Sequence, residues 1–230
     1  MNTQAKLEGA RYVVTADDVM FPEALRRIPM PPEKLYVIGS LDALSIEGVA
    51  IVGARKATPY GRECVAKFAA MLAERDIPLV TGGARGCDAA ALRSCVEHDG
   101  RAVVFLGGGC DVVYPSENTG LFQQVIEKGG AIVSEHEWDT PPLPFMFRAR
   151  NRLTAGQSKA VFIIEAGLPS GTFSTADDAL ESDKEVFAMP GPITSPVSRG
   201  ANRLIYQGAT PIVDEETFSD QLYALCGITA

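Results

Sequence analysis

Short apolar runs alternate with segments of helical period along most of the chain after residue 48. Continuous runs rich in Val, Ile and Leu are typical of strands buried on both faces, and strands separated by helices predict parallel βαβ units. We therefore predict a doubly wound α/β fold, with a mostly parallel sheet and helices on both faces. The predicted strands cover 49–53, 77–81, 101–107, 131–135, 160–166 and 185–189, and the predicted helices lie near 61–75, 87–98, 118–128 and 172–183.

The flanks of this regular pattern are shorter and less periodic. Residues 1–47 contain the amphipathic piece FPEALRRI, the stiff PMPP and a probable short strand, LYVIG. We predict that 1–47 is an N-terminal prelude packing on the core, that 48–215 is the α/β domain, and that 216–230 is a short C-terminal tail or helix. No apolar run approaches the ~18 residues that a membrane helix needs, and the N-terminus has no secretory signal pattern. We expect a cytoplasmic protein that does not contact membranes.

The charge is segregated along the chain. The 230 residues carry a net charge of -8, which at first argues against nucleic acid, because the phosphate backbone favours basic proteins. However, three windows (48–62, 140–164 and 186–213) contain no acid, although the chain has 29. Nine of the 21 bases fall in these windows, which are also rich in Gly, Pro, Ser and Asn. The average charge therefore does not exclude a basic groove.

Cysteine and histidine offer little chemistry. The five cysteines are an odd number without a CxxC pair, and the chain has only two histidines. We expect buried, reduced thiols, with neither a disulfide framework nor a metal site.

Glycine-rich loops follow four of the predicted strands. Glycines let the backbone approach an oxyanion, and helix N-termini present free N–H groups, so loops of this kind can hold phosphate. A single such loop is more often turn geometry, and the GxGxxG and GxxxxGK[ST] fingerprints are absent. In a parallel sheet the loops meet at one edge, and their coincidence therefore predicts a phosphate site. The loops begin at Gly53, Thr81, Gly107 and Gly167.

The segment 141–159, PPLPFMFRARNRLTAGQSK, is the most unusual. Its three arginines could form a solvated face, but bases interleaved with aromatic rings can also bind single strands. We interpret Phe145 and Phe147 as core anchors in preference to stacking platforms for bases, and the arginines Arg148, Arg150 and Arg152 as functional.

Catalytic patterns are weak. Ser170 does not lie in a GxSxG elbow. Asp88, Asp111 and Glu165 follow predicted strands and could act as acid or base groups, but Asp88 could instead cap a helix and Glu165 could pair with an arginine. We predict no catalytic residue, no enzymatic activity and no cofactor.

Several motifs resemble the DNA-processing protein A family (DprA, also called Smf). They include VAIVGARKATPYG, TGGARGCDAAA, GGGCDVVYPSEN, FRARNRLTAGQS, EAGLPSGTFSTA and MPGPITSPVSRGANRLI, and the resemblance extends from about 21 to 212. It implies an extended Rossmann-like domain that binds single-stranded DNA, acts as a homodimer and loads the RecA recombinase on incoming DNA during natural transformation. We expect the Rossmann-like core with short flanks, without the N-terminal helical domain and the C-terminal winged helix of many members.

The resemblance also implies which residues contact DNA phosphates. They lie in the family's Gly-Ser-Arg loop (with Ala54 in place of serine), its Ala-Arg-Gly turn, its Arg-Asn-Arg motif, its Ser-Gly-Ser loop and its late SRGxNRLI stretch; Arg148 stands at a position that is usually proline. The expected DNA-binding residues are Gly53, Arg55, Lys56, Arg85, Gly86, Arg148, Arg150, Asn151, Arg152, Ser170, Gly171, Thr172, Arg199, Asn202 and Arg203.

An enzymatic alternative is a nucleotide phosphoribohydrolase with a related Rossmann core. The PGGxGTxxE motif of that family is only partly echoed by the segment from Pro169 to Thr172, and Thr175 stands where its glutamate would fall.

Overall fold

Nine strands form one sheet in the computed structural model of the protein, which describes residues 6–227. Residues 1–5 of the predicted prelude and 228–230 of the predicted tail lie outside this range. The strands are β1 (Arg11–Thr15), β2 (Lys34–Gly39), β3 (Gly48–Val52), β4 (Leu79–Thr81), β5 (Ala102–Phe105), β6 (Ala131–Ser134), β7 (Ser158–Ile163), β8 (Glu185–Ala188) and β9 (Thr210–Pro211).

A helix lies between each of these strands and the next, and another follows β9. Within the described residues the helices are α1 (Glu23–Arg26), α2 (Leu41–Ser45), α3 (Pro59–Glu74), α4 (Cys87–Glu97), α5 (Thr119–Glu127), α6 (Pro144–Gly156), α7 (Thr172–Glu181), α8 (Arg199–Tyr206) and α9 (Glu215–Cys226), with a 3-10 turn at Ser116–Asn118.

The sheet is parallel except at one edge. The strand order is β1-β2-β6-β5-β4-β3-β7-β8-β9, and only the pairs β1–β2 and β2–β6 are antiparallel. From β3 the chain advances through β4 and β5 to β6, then returns to the other side of β3 to form β7. This confirms the predicted doubly wound, mostly parallel sheet.

The sheet separates two hydrophobic cores. One core contains buried side chains of α3, α4, α5 and α9, such as Leu72 and Phe218, and the other contains those of α1, α2, α6, α7 and α8, such as Leu153 and Leu204. Neighbouring residues of β3 point into opposite cores, since Ile51 belongs to the first and Ala50 to the second. This double burial explains why β3 is apolar at nearly every position.

β1 has no counterpart among the predicted strands, whereas β2 contains the predicted strand LYVIG. β1 pairs antiparallel with β2, and β2 pairs antiparallel with β6, so the segment before residue 48 contributes two strands to the sheet. The segment 141–159 contains the helix α6, whose first residue is Pro144; proline suits that position because its fixed φ matches the helix and it has no N–H to leave unsatisfied. The division of the chain at 48 and 215 stays a prediction.

The crossover creates a crevice between β3 and β7. The chain leaves β3 toward α3 on one face of the sheet and leaves β7 toward α7 on the other face. In open α/β sheets, ligands bind outside the carboxyl ends of the strands at such a switch point. The loops that follow β3, β4 and β7 are therefore the expected place of a ligand site.

Candidate anion-binding site

A cavity of about 700 Å³ opens at this switch point. The loops after β3, β4 and β7 line it, together with one face of α6 and the first turns of α7. Its volume lies within the range of about 300–1,000 Å³ that is usual for small-molecule sites. Eight of the predicted DNA-binding residues line it: Gly53, Arg55, Arg148, Arg150, Asn151, Ser170, Gly171 and Thr172.

The loop after β3 places an exposed arginine at the mouth of the cavity. The guanidinium of Arg55 lies 5.9 Å from the centre of the Phe147 ring, a cation–π distance. Gly86 supports this loop from below, with a φ of +78° and a position where any Cβ would collide with the carbonyl oxygen of Ala54. Gly86 is thus required for backbone packing rather than placed in the cavity.

Arg150 forms the buried floor of the site. Its side chain is only 5% exposed, and its guanidinium donates to the carbonyl oxygens of Gly82, at 2.7 Å, and of Phe105. A Cβ on Gly82 would come within 2.5 Å of that guanidinium, so the glycine makes room for the arginine. Arg150 therefore joins α6 to the ends of β4 and β5.

Asp88 supplies the negative charge closest to this buried arginine. Its carboxylate, in the first turn of α4, accepts a hydrogen bond at 3.2 Å from the N–H of Ala84 in the loop that precedes the helix. Burial raises the pKa of Asp88, an effect that the nearby Arg150 partly offsets. Burial also disfavours the charged form of Arg150 and lowers its pKa to about 10, although the carboxylate of Asp88 opposes this shift. The arginine therefore remains charged at neutral pH.

The outer face of α6 meets α7 at the cavity wall. Asn151 donates from Nδ2 to the hydroxyl of Ser174 at 2.8 Å, and that hydroxyl donates to the carbonyl of Gly171 at 2.8 Å. Arg148, one turn earlier on α6, is exposed and makes no hydrogen bond or ion pair within residues 6–227. The wall thus combines a fixed amide with a cation that is free to meet a ligand.

The loop after β7 is held by its own hydroxyls. Ser170 donates to the hydroxyl of Thr172 at 3.0 Å and accepts from the Thr172 N–H at 3.2 Å, at the start of α7. The loop thereby places the N-terminal end of α7, the positive end of its dipole, against the cavity.

Arg85 lies beside the cavity in a smaller pocket that Arg55 and Phe147 also line. It pairs with Glu117, with Nη2 2.8 Å from Oε2, and its guanidinium lies 5.8 Å from the Tyr114 ring. The carboxylate of Glu117 raises the pKa of Arg85 further, and both side chains are half-exposed. A DNA phosphate would have to compete with this pair.

The other predicted contacts lie outside the cavity. Lys56 is exposed on the β3 loop. Arg152 lies one turn after Arg148 on α6, outside the cavity, where it pairs with Glu135 through bonds of 2.6 and 2.7 Å and donates to the Met30 carbonyl at 2.8 Å. Asn202 bonds both the N–H and the carbonyl of Gly191 and so closes the loop before α8.

The two arginines of α8 are exposed and belong to a different surface. Arg203 lines a second groove, of about 910 Å³, between α7 and α8, with its guanidinium 5.4 Å from the Tyr206 ring. Arg199 lines neither the cavity nor this groove. The assignment of DNA contacts to all these residues stays a prediction.

The three candidate acid or base groups have structural partners. Glu165 accepts from the N–H and the hydroxyl of Thr58, at 2.9 and 2.6 Å, rather than pairing with an arginine. Asp111 pairs with Lys6 and Arg11 at 3.0 and 2.7 Å. Each of the three carboxylates therefore has a hydrogen-bond or ion-pair partner within the protein, Asp88 included.

The interpretation of the aromatic rings as core anchors is wrong for Phe145, which is 66% exposed. Phe147 is half-buried at the cavity, 5.3 Å from the Tyr114 ring. Sequence reasoning also missed Thr154, Phe173 and Asp177, which line the cavity. The spacing of four between Phe173 and Asp177, directly after the Ser-Gly-Thr loop, could have indicated that they share one helix face.

Metal chemistry and membrane insertion find no support within residues 6–227. No group of three or more His, Cys, Asp or Glu side chains in that range could hold a metal ion. No helix of the described chain is long and apolar enough to cross a membrane.

Taken together, the fold and the site define an open α/β protein with a candidate anion-binding site at its switch point, built from arginines, glycine-rich loops and a helix N-terminus. Comparison with known proteins narrows this class. Residues 12–223 match the family model described as DNA recombination-mediator protein A, and the chain belongs to that family.

Individual relatives agree with this assignment. The chain is 38% identical over 211 residues to Protein Smf of Escherichia coli, which covers 92% of this chain and 56% of that protein. The chain spans about half the length of such curated relatives.

Two solved structures are similar. DNA processing protein A from Streptococcus pneumoniae superposes with a TM-score of 0.85 at 32% identity, covering 92% of this chain and 74% of the other. DNA processing protein A from Helicobacter pylori, whose structure concerns a single-stranded DNA binding mode, superposes with a TM-score of 0.83 at 32% identity, covering 92% and 96%.

Proposed function

We propose that this chain binds single-stranded DNA and acts as a recombination mediator that loads RecA on incoming single strands in natural transformation. In this proposal it works in the cytoplasm as a homodimer and without enzymatic activity. Arg55, Arg148 and the N-terminal end of α7 hold phosphates, while Phe147 and the cavity wall accept bases.

The observation that carries the proposal is the cavity at the switch point. It presents two exposed arginines and a helix N-terminus beside an aromatic ring, in a chain whose net charge is -8. Single strands can turn their bases into such a cavity and onto the ring, whereas the bases of a duplex remain stacked inside the helix. The acidic remainder of the chain opposes nonspecific binding to duplex phosphates.

The similar protein from Helicobacter pylori supports the choice of ligand. Its structure concerns the binding of single-stranded DNA, and it matches this chain over nearly its whole length. This extensive superposition favours the same kind of ligand, single-stranded DNA, for the cavity of this chain.

A salt titration tests DNA binding directly. We expect a fluorescent oligo-dT to bind more tightly than a duplex of equal length in anisotropy measurements. If about three to five phosphates are neutralised, log K should fall with log salt with a slope of roughly -2 to -3.5. Binding that is absent, or that does not depend on salt, would contradict the proposal. Light scattering on the same sample reports whether the complex contains two copies.

Two further assays separate the mediator from an enzyme. RecA assembly on single strands, followed by its DNA-dependent ATPase, should begin sooner when this chain is present, and a chain with Arg55→Glu should lose the effect. Incubation with AMP should release no free adenine. Release of the base would favour the phosphoribohydrolase alternative instead.

A further inference from the structure

An exposed carboxylate, in addition to the buried Asp88, lies on the wall of the cavity. Asp177 lines both the cavity and the second groove, so it sits on the ridge of α7 that separates them. It is exposed and makes no hydrogen bond or ion pair within residues 6–227. Phe173, one turn earlier, lines both spaces as well. The two side chains therefore present one face to any strand that crosses the ridge.

A carboxylate can only accept hydrogen bonds, and it repels phosphate. A strand lying across this ridge must therefore turn its phosphates away from Asp177, toward Arg55 and Arg148, and present hydrogen-bond donors to the carboxylate. The donors of DNA are on the base edges. Guanine offers a ring N–H and an amino group side by side, whereas thymine offers one N–H between two carbonyl oxygens.

The Phe173 ring supplies the second element that a base needs. On a helix, residues four apart have Cβ atoms about 5–6 Å from each other. A base stacked on Phe173 thus has its edge within reach of the Asp177 carboxylate. Stacking accepts any base, because every base has a π-face, so the choice among bases falls to the carboxylate.

One buried hydroxyl in the same cavity also lacks a partner. Thr154 is 1% exposed and lines the cavity, and its hydroxyl makes no hydrogen bond within the described residues. A buried polar group without a partner is costly, and a bound nucleotide can relieve that cost. This hydroxyl is a second sign that a polar ligand enters here.

We propose that Phe173 and Asp177 form a base-reading subsite, which makes the single-strand site favour bases that present amino donors, guanine above all, over thymine. The inference rests on the proposed function, since it requires single-stranded DNA to occupy the cavity.

The test compares 12-nucleotide oligo-dT with the same strand carrying one central guanine, or one central hypoxanthine, which lacks the amino group of guanine. A uniform background lets the complex choose the register that brings the single different base to the subsite. We expect the guanine strand to bind about fivefold more tightly than oligo-dT, the lower end of what a bidentate contact provides, with hypoxanthine between them.

The variant Asp177→Asn should reduce the guanine preference to less than about twofold, because the amide replaces one acceptor by a donor. Glu181→Gln is the matched control, since it removes an exposed carboxylate of the same helix that lines neither space, and it should keep the preference. Phe173→Leu should weaken binding of all three strands to a similar extent.

Equal affinities of the unaltered protein for the three strands would overturn the subsite, as would a preference that survives Asp177→Asn. Failure to bind any strand would instead overturn the proposed function, so the two failures are distinguishable.

Discussion

Two successive turns of helix α6 use the same residue type in opposite ways. At the cavity, Arg148 is exposed and has no partner within residues 6–227, so its charge is available to a ligand. One turn later and outside the cavity, Arg152 is largely buried against Glu135 and the Met30 carbonyl. Arg150, between them in sequence, lies under the ends of β4 and β5.

This difference shows that arginines close together in the sequence do not necessarily form one basic surface. Side chains two apart on a helix point about 200° from each other, so Arg150 points away from Arg148 and Arg152. Arg148 and Arg152 are four apart and lie on the same side of α6, and they differ in the partners that the rest of the fold brings to them. The environment decides whether a guanidinium binds a ligand, holds the ligand-binding loops together or stabilises an edge of the domain. Substitutions at the three positions should therefore fail in different assays.

The largest effect is expected at the buried position. Arg150→Met would remove the donors to the Gly82 and Phe105 carbonyls and leave Asp88 buried without its neighbouring charge. We expect a loss of about 3–5 kcal/mol in the free energy of unfolding, measured by urea denaturation. Arg150→Lys keeps the charge but loses the fork of donors. Its free energy of unfolding should therefore lie between those of the unaltered protein and Arg150→Met. Unchanged stability in Arg150→Met would show that the buried side is not structural.

On the cavity side, the effect should appear in binding and not in stability. Arg148→Glu and Arg55→Glu should each weaken oligo-dT binding by about tenfold at low salt and make the salt slope shallower by about 0.7 for each lost phosphate contact. Their unfolding free energies should stay within about 0.5 kcal/mol of the unaltered protein, since both side chains are exposed. If a variant is stable and binds oligo-dT as tightly as the unaltered protein, the substituted arginine does not contribute to the binding site.

Outside the cavity, one turn further along α6, Arg152→Gln should show the reverse pattern. It leaves the Glu135 carboxylate, which is 17% exposed, without its partner, and we expect about 2 kcal/mol of destabilisation with little change in DNA affinity. The double variant with Glu135→Gln should recover part of the loss, as in a double-mutant cycle. A tenfold fall in affinity at unchanged stability would instead support the predicted DNA contact of Arg152.

The smallest effect concerns Asp178 on α7. Burial, together with Glu181 and Asp177, raises its pKa from the ordinary 3.8 to about 6, and its buried Oδ2 has no hydrogen-bond partner within residues 6–227. The folded protein therefore holds this proton more tightly than the unfolded chain, and stability falls as the pH rises from about 4 through about 6.

Asp178→Asn should accordingly stabilise the protein above pH 7, by about 1 kcal/mol once solvent screening at a half-buried site is considered. The gain should vanish below about pH 4, where the carboxyl group is protonated in both states. Thermal unfolding at the two pH values measures it, and an equal gain at both would rule out ionisation as the cause.

The sequence alone determined the class of fold and the edge of the sheet that matters. Strands buried on both faces must be apolar at nearly every position, so β3 and its parallel neighbours are visible as continuous runs, and the glycine-rich loops mark their carboxyl ends. The family motifs placed Arg55 and Asn151 among the expected DNA-binding residues, and the arginine cluster of 141–159 added Arg148; the structure brings these three to one cavity.

Tertiary structure decided what each side chain does there. The partners that fix Arg150 and Arg152 outside α6 lie 17 to 122 positions away along the chain, where no local pattern could reveal them. The segment that became α6 shows little helical pattern, because its buried residues face the sheet, α1 and α7 at once. The ridge of Phe173 and Asp177 exists only because the chain returns past β3 to form β7, and so brings α7 against the loops of the first half.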